Sequence, residues 1–182
     1  MSRALLIIDI QNDYFPGGAM ELVGSPEAGT NAGRLLAAFR AAGLPVAHIQ
    51  HISGRPGATF FLPETEGAEI HPCVTPLENE PVFLKHTPNS FRDTGLRTHL
   101  QELGIDELTI AGMMTHMCVD TTVRAAFDLG FSCTLAHDAC ATRDLAFAGQ
   151  TVAAVQVQTA YLAALGAVFA GILPTEEILA DL

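Results

Sequence analysis

The sequence predicts a three-layer α/β/α fold built on a mostly parallel sheet. Short apolar runs with the length of buried strands alternate with segments whose apolar residues recur at helical spacing. Such alternation favours strand–helix–strand units with right-handed crossovers. Of the 182 residues, 49% are hydrophobic and 16% are charged, which is enough apolar material for one core. Because we find no internal repeat and no linker, residues 1–182 are expected to form a single domain.

The chain opens with a predicted strand–helix–strand unit. Residues 4–8 form a continuous Leu/Ile run, typical of a strand covered on both faces, and Asp9 follows directly. Residues 28–42 carry Leu and Phe at helical spacing, and residues 45–49 offer a second strand. Open α/β sheets bind ligands beyond the carboxyl ends of their strands. Asp9 therefore occupies a candidate site position.

A long loop and a third strand follow. Residues 53–81 are rich in Gly, Pro and Glu, and a loop of this length is often a lid or a substrate wall. Phe60 and Phe61 in this loop either form an apolar wall over a substrate or anchor the loop to the core. Residues 82–84 form a brief apolar run that ends at Lys85. A second charged group, opposite in sign to Asp9, thus follows a strand.

Residues 108–129 predict a strand, a tight turn and a helix, with Cys118 at the start of the helix. A thiol in that position faces unpaired backbone N–H groups and the positive end of the helix dipole, which stabilise its thiolate. The alternative is a buried, inert cysteine. The other expected elements are a helix at 94–103, a strand at 132–136, a long helix at 147–165, a last strand at 167–170 and a helical turn or two at 175–179.

Charge and cysteine usage exclude several classes of protein. Nine Lys and Arg against twenty Asp and Glu give a net charge of −11, which repels nucleic acid and anionic membranes. No run approaches the ~18 apolar residues of a membrane helix, and the N-terminal apolar run is too short for a signal peptide. The four cysteines form no CxxC pair, so a zinc knuckle is not expected. We expect a cytoplasmic protein with free thiols.

Asp9, Lys85 and Cys118 together could carry out acyl transfer. Because parallel strands end at one edge of a sheet, the carboxylate, the ammonium and the thiol are expected to converge. A carboxylate within reach can accept the thiol proton, and a nearby ammonium favours both charged forms. Taken singly, Asp9 could cap its loop and Lys85 could be a surface charge. All three falling at strand ends by chance is much less probable.

The segments that carry these residues resemble the isochorismatase-like cysteine hydrolases, which include nicotinamidases, N-carbamoylsarcosine amidohydrolases and ureidoacrylate-type amidases. The opening strand of that family is similar to LLIIDIQNDYF, its lysine segment to FLKHTPNSF and its nucleophile segment to GMMTHMCVDTTVRAAFDLG. The resemblance covers nearly the whole chain. It implies the isochorismatase-like fold, a Rossmann-like open sheet of about six strands, with Asp9 as general base, Lys85 as electrostatic support and Cys118 as nucleophile.

The resemblance also implies details of a substrate pocket. A cis peptide bond is expected between Met113 and Met114, with the N–H groups of Met114 and Cys118 forming an oxyanion hole. Tyr14 matches an aromatic pocket position, although it could equally pack on the core. His116, two residues before Cys118, is the histidine best placed to touch a substrate. We therefore expect Tyr14, Phe60 and His116 in the pocket.

A metal site and a cofactor are not expected. Nicotinamidases carry an Asp-x-His metal pair after the second strand, whereas this chain has HIQHISGRPG there, without an aspartate. His48 and His51 do not reproduce that pattern. A site formed by His51, His71 and a carboxylate is conceivable, but these residues lack ligand spacing.

The predicted function is cysteine-dependent hydrolysis of a small carboxamide, ureido or carbamoyl compound through a thioester on Cys118. One alternative is an enol-ether hydrolase of the isochorismatase type, which would not need the cysteine. Another is a non-catalytic ligand-binding or redox-sensing relative that uses a reactive thiol. The resemblance also favours a homo-oligomer, a dimer or tetramer, and the apolar segment 151–165 could be either its interface or a core helix.

Overall fold

The computed structural model describes residues 2–182, which form eight strands and five α-helices. The strands are β1 Arg3–Ile8, β2 Val46–His51, β3 Val82–Lys85, β4 Glu107–Met113, β5 Ser132–Ala141, β6 Leu145–Phe147, β7 Gln150–Val152 and β8 Gly171–Leu173. The helices are α1 Ser25–Ala41, α2 Leu96–Glu102, α3 Asp120–Asp128, α4 Ala154–Val168 and α5 Thr175–Ala180.

Six of the strands form one parallel sheet in the order β3-β2-β1-β4-β5-β8. The remaining two, β6 and β7, form a separate antiparallel hairpin. This architecture confirms the predicted α/β/α fold with a mostly parallel, six-stranded sheet. Within residues 2–182, no helix has the length and apolar character needed to cross a membrane.

Apolar cores cover both faces of the sheet. Along β1, Leu5 and Ile7 belong to the core that includes Leu35 of α1, whereas Leu6 and Ile8 belong to the core that includes Val123 of α3. Successive side chains of a strand point to opposite faces. A strand covered on both faces therefore needs the continuous apolar run seen in the sequence.

Several predicted element boundaries are wrong, and one of them is the end of the strand predicted at 132–136, which continues to Ala141 as β5. Helix α1 begins at Ser25, since Pro26 fits the first turn of a helix. Residues 147–153 are not helical, because Ala148 and Gly149 both have positive φ and make the tight turn between β6 and β7. The last strand lies at 171–173 instead of 167–170, because α4 continues to Val168.

Gly112 allows the end of β4 to approach β1 closely. Its φ is +154°, and a Cβ at this position would overlap the carbonyl oxygen of Ile8. The register between β4 and β5 also shifts between Ile110 and Gly112. A residue without a side chain is therefore needed where β4 leads into the turn that carries Cys118.

Candidate active site

Asp9, Lys85 and Cys118 come together at the carboxyl edge of the sheet. The Lys85 ammonium lies 2.7 Å from Asp9 Oδ2 and 3.1 Å from Cys118 Sγ. All three residues are buried, with 0% of Asp9, 1% of Lys85 and 4% of Cys118 exposed. Apart from the ion pair with Lys85, neither Asp9 oxygen accepts a hydrogen bond within residues 2–182. Oδ1 of Asp9 therefore has no hydrogen-bond donor beside it that would compete with the Cys118 thiol.

His51 completes the cluster, although its sequence pattern suggests only a metal ligand. Its Nδ1 lies 3.1 Å from the Lys85 ammonium. An ammonium has only donors, so Nδ1 accepts and the imidazole is neutral. Burial, followed by the positive charge of Lys85, lowers the pKa of His51 to about 4, which agrees with a neutral ring. The sequence feature that could have identified His51 is its position at the end of the second strand. In the sheet this strand, β2, lies between β1 and β3.

Gln11 fixes the backbone of His51. Its side-chain oxygen accepts from the His51 N–H at 2.8 Å, and its amide donates to the His51 carbonyl at 2.9 Å. The same amide also donates to the Ala68 carbonyl at 2.7 Å. Gln11 is fully buried, and its three bonds join β2 to the 53–81 loop.

Cys118 lies near the start of the helical segment, as predicted, within a π-helical turn, Thr115–Val119, that leads directly into α3. The turn is fixed to the end of β5 by two bonds: Thr115 Oγ1 donates to the Ala141 carbonyl at 3.2 Å, and His116 Nδ1 lies 2.6 Å from Thr142 Oγ1. π-Helical turns are rare and are often found at functional sites. The peptide bond before the turn, between Met113 and Met114, is cis, where the family resemblance implies it.

The thiol does not have the lowered pKa that a helix N-terminus was expected to give. Burial raises the pKa of Cys118 well above its usual range, the negative charge of Asp9 raises it further, and Lys85 opposes both. Burial alone would lower the pKa of Lys85, but the negative charge of Asp9 leads to a net rise. These shifts favour a protonated thiol beside the Asp9–Lys85 ion pair, a combination without net charge.

A cavity of about 180 Å³ opens onto Cys118. Of the residues expected to form the pocket or the oxyanion hole, Tyr14, Phe60 and Met114 line it together with Cys118. His116 does not line it, because its ring points to Thr142 and packs against Tyr161 instead. The prediction that His116 reaches the substrate is therefore not supported by its position.

Asp13 holds the aromatic wall of this cavity in place. Its Oδ2 accepts from the Phe61 N–H at 2.6 Å, and its Oδ1 accepts from the Ala19 N–H at 3.1 Å. The rings of Tyr14 and Phe61 are 4.5 Å apart, and those of Phe60 and Phe61 are 5.0 Å apart. The sequence left two roles open for these phenylalanines, and the structure gives them both: they line the cavity and anchor the loop.

The only set of potential metal ligands that lie together within residues 2–182 is Asp9, His51 and Cys118. Lys85 Nζ lies within 3.1 Å of one atom of each. The ammonium thus occupies the position that a cation would take among these three atoms. His71 lies outside this cluster, where its ring stacks on Phe15 and is hydrogen-bonded to the Cys73 thiol.

Comparisons with known proteins agree with this fold. A model of the isochorismatase domain matches residues 3–169. An uncharacterized isochorismatase family protein of Bacillus subtilis, YddQ, is 51% identical over 98% of this chain and 99% of its own length. The fold and the matches define an isochorismatase-type hydrolase. The chain belongs to the isochorismatase family.

Two further relatives extend the comparison. A crystal structure from Oleispira antarctica, classed with the isochorismatase hydrolases, has a TM-score of 0.94 at 49% identity and covers 98% of this chain and 96% of that one. A streptothricin hydrolase of Streptomyces noursei is 41% identical over 79% of this chain and 51% of its own length.

Proposed function

We propose that the protein is a cysteine amidohydrolase that cleaves a small carboxamide, ureido or carbamoyl compound. The observation that carries this proposal is the Lys85 ammonium in contact with both Asp9 and Cys118, beside a small cavity onto which the thiol opens. Hydrolase activity is common to the family, and the streptothricin hydrolase shows by its name that one relative is a hydrolase. The bond cleaved and the role of each residue belong to our proposal.

Asp9 is assigned as the base because proton transfer from Cys118 leaves the net charge of the buried site unchanged. Loss of the thiol proton to water would leave an uncompensated charge in a buried site, which is costly. Transfer of the same proton to Asp9 replaces a carboxylate with a thiolate beside the same ammonium. Lys85 is 3.1 Å from the sulfur and therefore stabilises the thiolate as it forms.

In the proposed reaction, the sulfur attacks the carbonyl carbon while Asp9 accepts the thiol proton. The carbonyl electron pair moves to oxygen, where the N–H groups of Met114 and Cys118 are proposed to bind it. When the C–N bond breaks, Asp9 returns the proton to the departing nitrogen. Asp9 then removes a proton from water, which attacks the thioester and releases Cys118.

The structure weighs against a redox sensor built on Cys118. Sensor thiols combine a low pKa with solvent access. Cys118 is only 4% exposed, and burial raises its pKa. The enol-ether alternative has no specific observation in its favour, and the experiment below separates it from the amidase proposal.

Ammonia release from a panel of small amides and carbamoyl compounds tests the proposal. Both Cys118→Ala and Asp9→Asn are expected to lose at least 10³-fold in kcat/KM, since each removes a group that changes covalently or exchanges a proton. Full ammonia release by Cys118→Ala would exclude the thioester. The enol-ether alternative instead predicts no ammonia from any amide, together with hydrolysis of an enol-ether substrate that is lost in Asp9→Asn and kept in Cys118→Ala. Cys133→Ala, which removes a buried thiol outside the cavity, is the matched control.

Oligomeric state and location remain predictions. Exposed apolar side chains on the hairpin and on α4 support a homo-oligomer: Phe147 is 84% exposed, Val155 71% and Val168 64%. Exposed apolar residues often mark an interface when they form a contiguous patch, whereas isolated ones are ordinary. The cytoplasmic location rests on the sequence arguments alone.

A further inference from the structure

We propose that the substrate is an anion, a small amide or ureido compound that also carries a carboxylate, and that Arg55 and Arg143 bind this group. The inference rests on the proposed function for the identity of the reacting bond. The anionic group of the substrate is inferred from the charged residues that line the cavity.

The charged residues that line the cavity are positive, whereas the whole protein has a negative net charge. The chain has twenty Asp and Glu but only nine Lys and Arg, yet no Asp or Glu lines the cavity and two arginines do, Arg55 and Arg143. A small anion is repelled by the rest of the surface and attracted here. Clefts lined by one sign of charge concentrate ligands of the opposite sign.

Both guanidinium groups lack an acidic partner. Salt bridges are formed by Arg3, Arg34, Arg40, Arg92 and Arg124. Within residues 2–182, neither Arg55 nor Arg143 forms a salt bridge or donates a side-chain hydrogen bond. Arginine binds carboxylates through paired N–H donors. The two free guanidinium groups are therefore available to a ligand.

The arginines reach the cavity from two separate segments. Arg55 follows β2 in the loop that carries Phe60, and Arg143 follows β5, next to the residue that fixes the turn of Cys118. The cavity between them also has apolar walls, formed by Met20, Met117 and the aromatic residues. A fitting ligand has a short apolar body, an amide carbonyl at the sulfur and an anionic end at the arginines.

Two alkylating reagents of similar size test the anion site without a known substrate. Iodoacetate is negatively charged and iodoacetamide is neutral, and both alkylate thiols, so both are expected to label Cys118 through the cavity. The rate ratio, iodoacetate over iodoacetamide, is measured by peptide mass spectrometry and compared with that of 2-mercaptoethanol. The variants are Arg55→Gln, Arg143→Gln and the double variant. The matched control is Arg97→Gln, an exposed arginine of α2 outside the cavity and without a salt bridge.

We expect the wild-type ratio to exceed the reference by at least fivefold, and each cavity substitution to lower it by about fivefold. That factor corresponds to about 1 kcal/mol at 1.4 kcal/mol per factor of ten, the scale of a partly exposed ion pair. The preference should also weaken in 0.5 M salt. A reference-level ratio in the wild type, or a raised ratio that survives in the double variant, would overturn the inference.

Two further measurements separate this inference from the proposed function. Succinate should raise the thermal midpoint of the wild type and of Arg97→Gln, but not of the double variant, and this readout does not need the thiol. Succinamate should be hydrolysed in preference to butyramide. Hydrolysis of butyramide with no charge preference would reject the anion site and keep the amidase. A charge preference in alkylation and binding without turnover of either amide would keep the anion site and count against the amidase.

Discussion

The buried ion pair between Asp9 and Lys85 leads to a quantitative prediction for the free energy of unfolding. Both side chains are fully buried, and their charged atoms are 2.7 Å apart. At an effective dielectric constant of about 20, two unit charges at this distance attract each other by roughly 6 kcal/mol, before the cost of desolvation is subtracted. Removing one partner leaves the other charge buried and unpaired, which costs about 3–5 kcal/mol.

A double-mutant cycle measures this coupling. Asp9→Asn and Lys85→Met should each lower the free energy of unfolding by about 3–5 kcal/mol, whereas the double variant should lose at least 2 kcal/mol less than the sum of the two. Unfolding in urea, followed by circular dichroism, gives these values. Since whole domains are stable by only about 5–15 kcal/mol, a single variant could unfold outright, and recovery of folding in the double variant then becomes the readout.

The exposed pair between Arg34 and Glu176 is the control for the cycle. Their side chains are 46% and 78% exposed, so their coupling should stay below about 1 kcal/mol. Additive losses at Asp9 and Lys85, within about 0.5 kcal/mol, would refute the reasoning. That result would mean that the two charges are not stabilised by each other inside the folded protein.

Three further predictions concern acid stability, backbone packing and assembly. Arg40 lowers the pKa of Glu80 from 4.5 to about 2, so the stability from this carboxylate is present above about pH 4.5 and is lost as pH falls towards 2. In Glu80→Gln, the free energy of unfolding should fall by less over this pH range, the difference from wild type being on the order of 1–2 kcal/mol after solvent screening. Urea unfolding across the range measures it. Gly112→Ala should destabilise the fold by more than 3 kcal/mol because its Cβ overlaps the backbone of β1, whereas Gly17→Ala, in open space but also with positive φ, should cost about 1 kcal/mol in thermal unfolding. Light scattering after size exclusion should give the mass of a dimer or tetramer, and Phe147→Asp should lower it; a monomeric wild type would contradict the prediction.

The sequence predicted the fold and the convergence of Asp9, Lys85 and Cys118 for a physical reason. Apolar runs of strand length ended in Asp9 and Lys85, and the change from strand to helical spacing marked the segment of Cys118. Parallel strands carry such ends to one edge of the sheet without any knowledge of side-chain contacts. These signals are local in the sequence, so no long-range information was needed.

The hairpin and the pKa of Cys118 could not be predicted in the same way. The β6–β7 hairpin depends on positive φ at Ala148 and Gly149, in a segment that resembles the start of the Ala-rich helix. The pKa of Cys118 depends on its burial and on the charges of Asp9 and Lys85, which are distant from it in the sequence. The charge of the cavity was equally hidden, because Arg55 and Arg143 are far apart in the sequence.

The sheet order explains why each member of the cluster has its particular side chain. Strand β2 lies between β3 and β1, so the ends of β3 and β1 are about 10 Å apart at ~4.8 Å per strand. Only a long side chain can cross this gap, and Lys85 does so while it passes the end of β2. The residue of β2 that pairs with Lys85 in the sheet, His51, therefore faces the ammonium. A neutral acceptor suits this place, and His51 supplies one, whereas a second carboxylate would compete with Asp9 for the single positive charge.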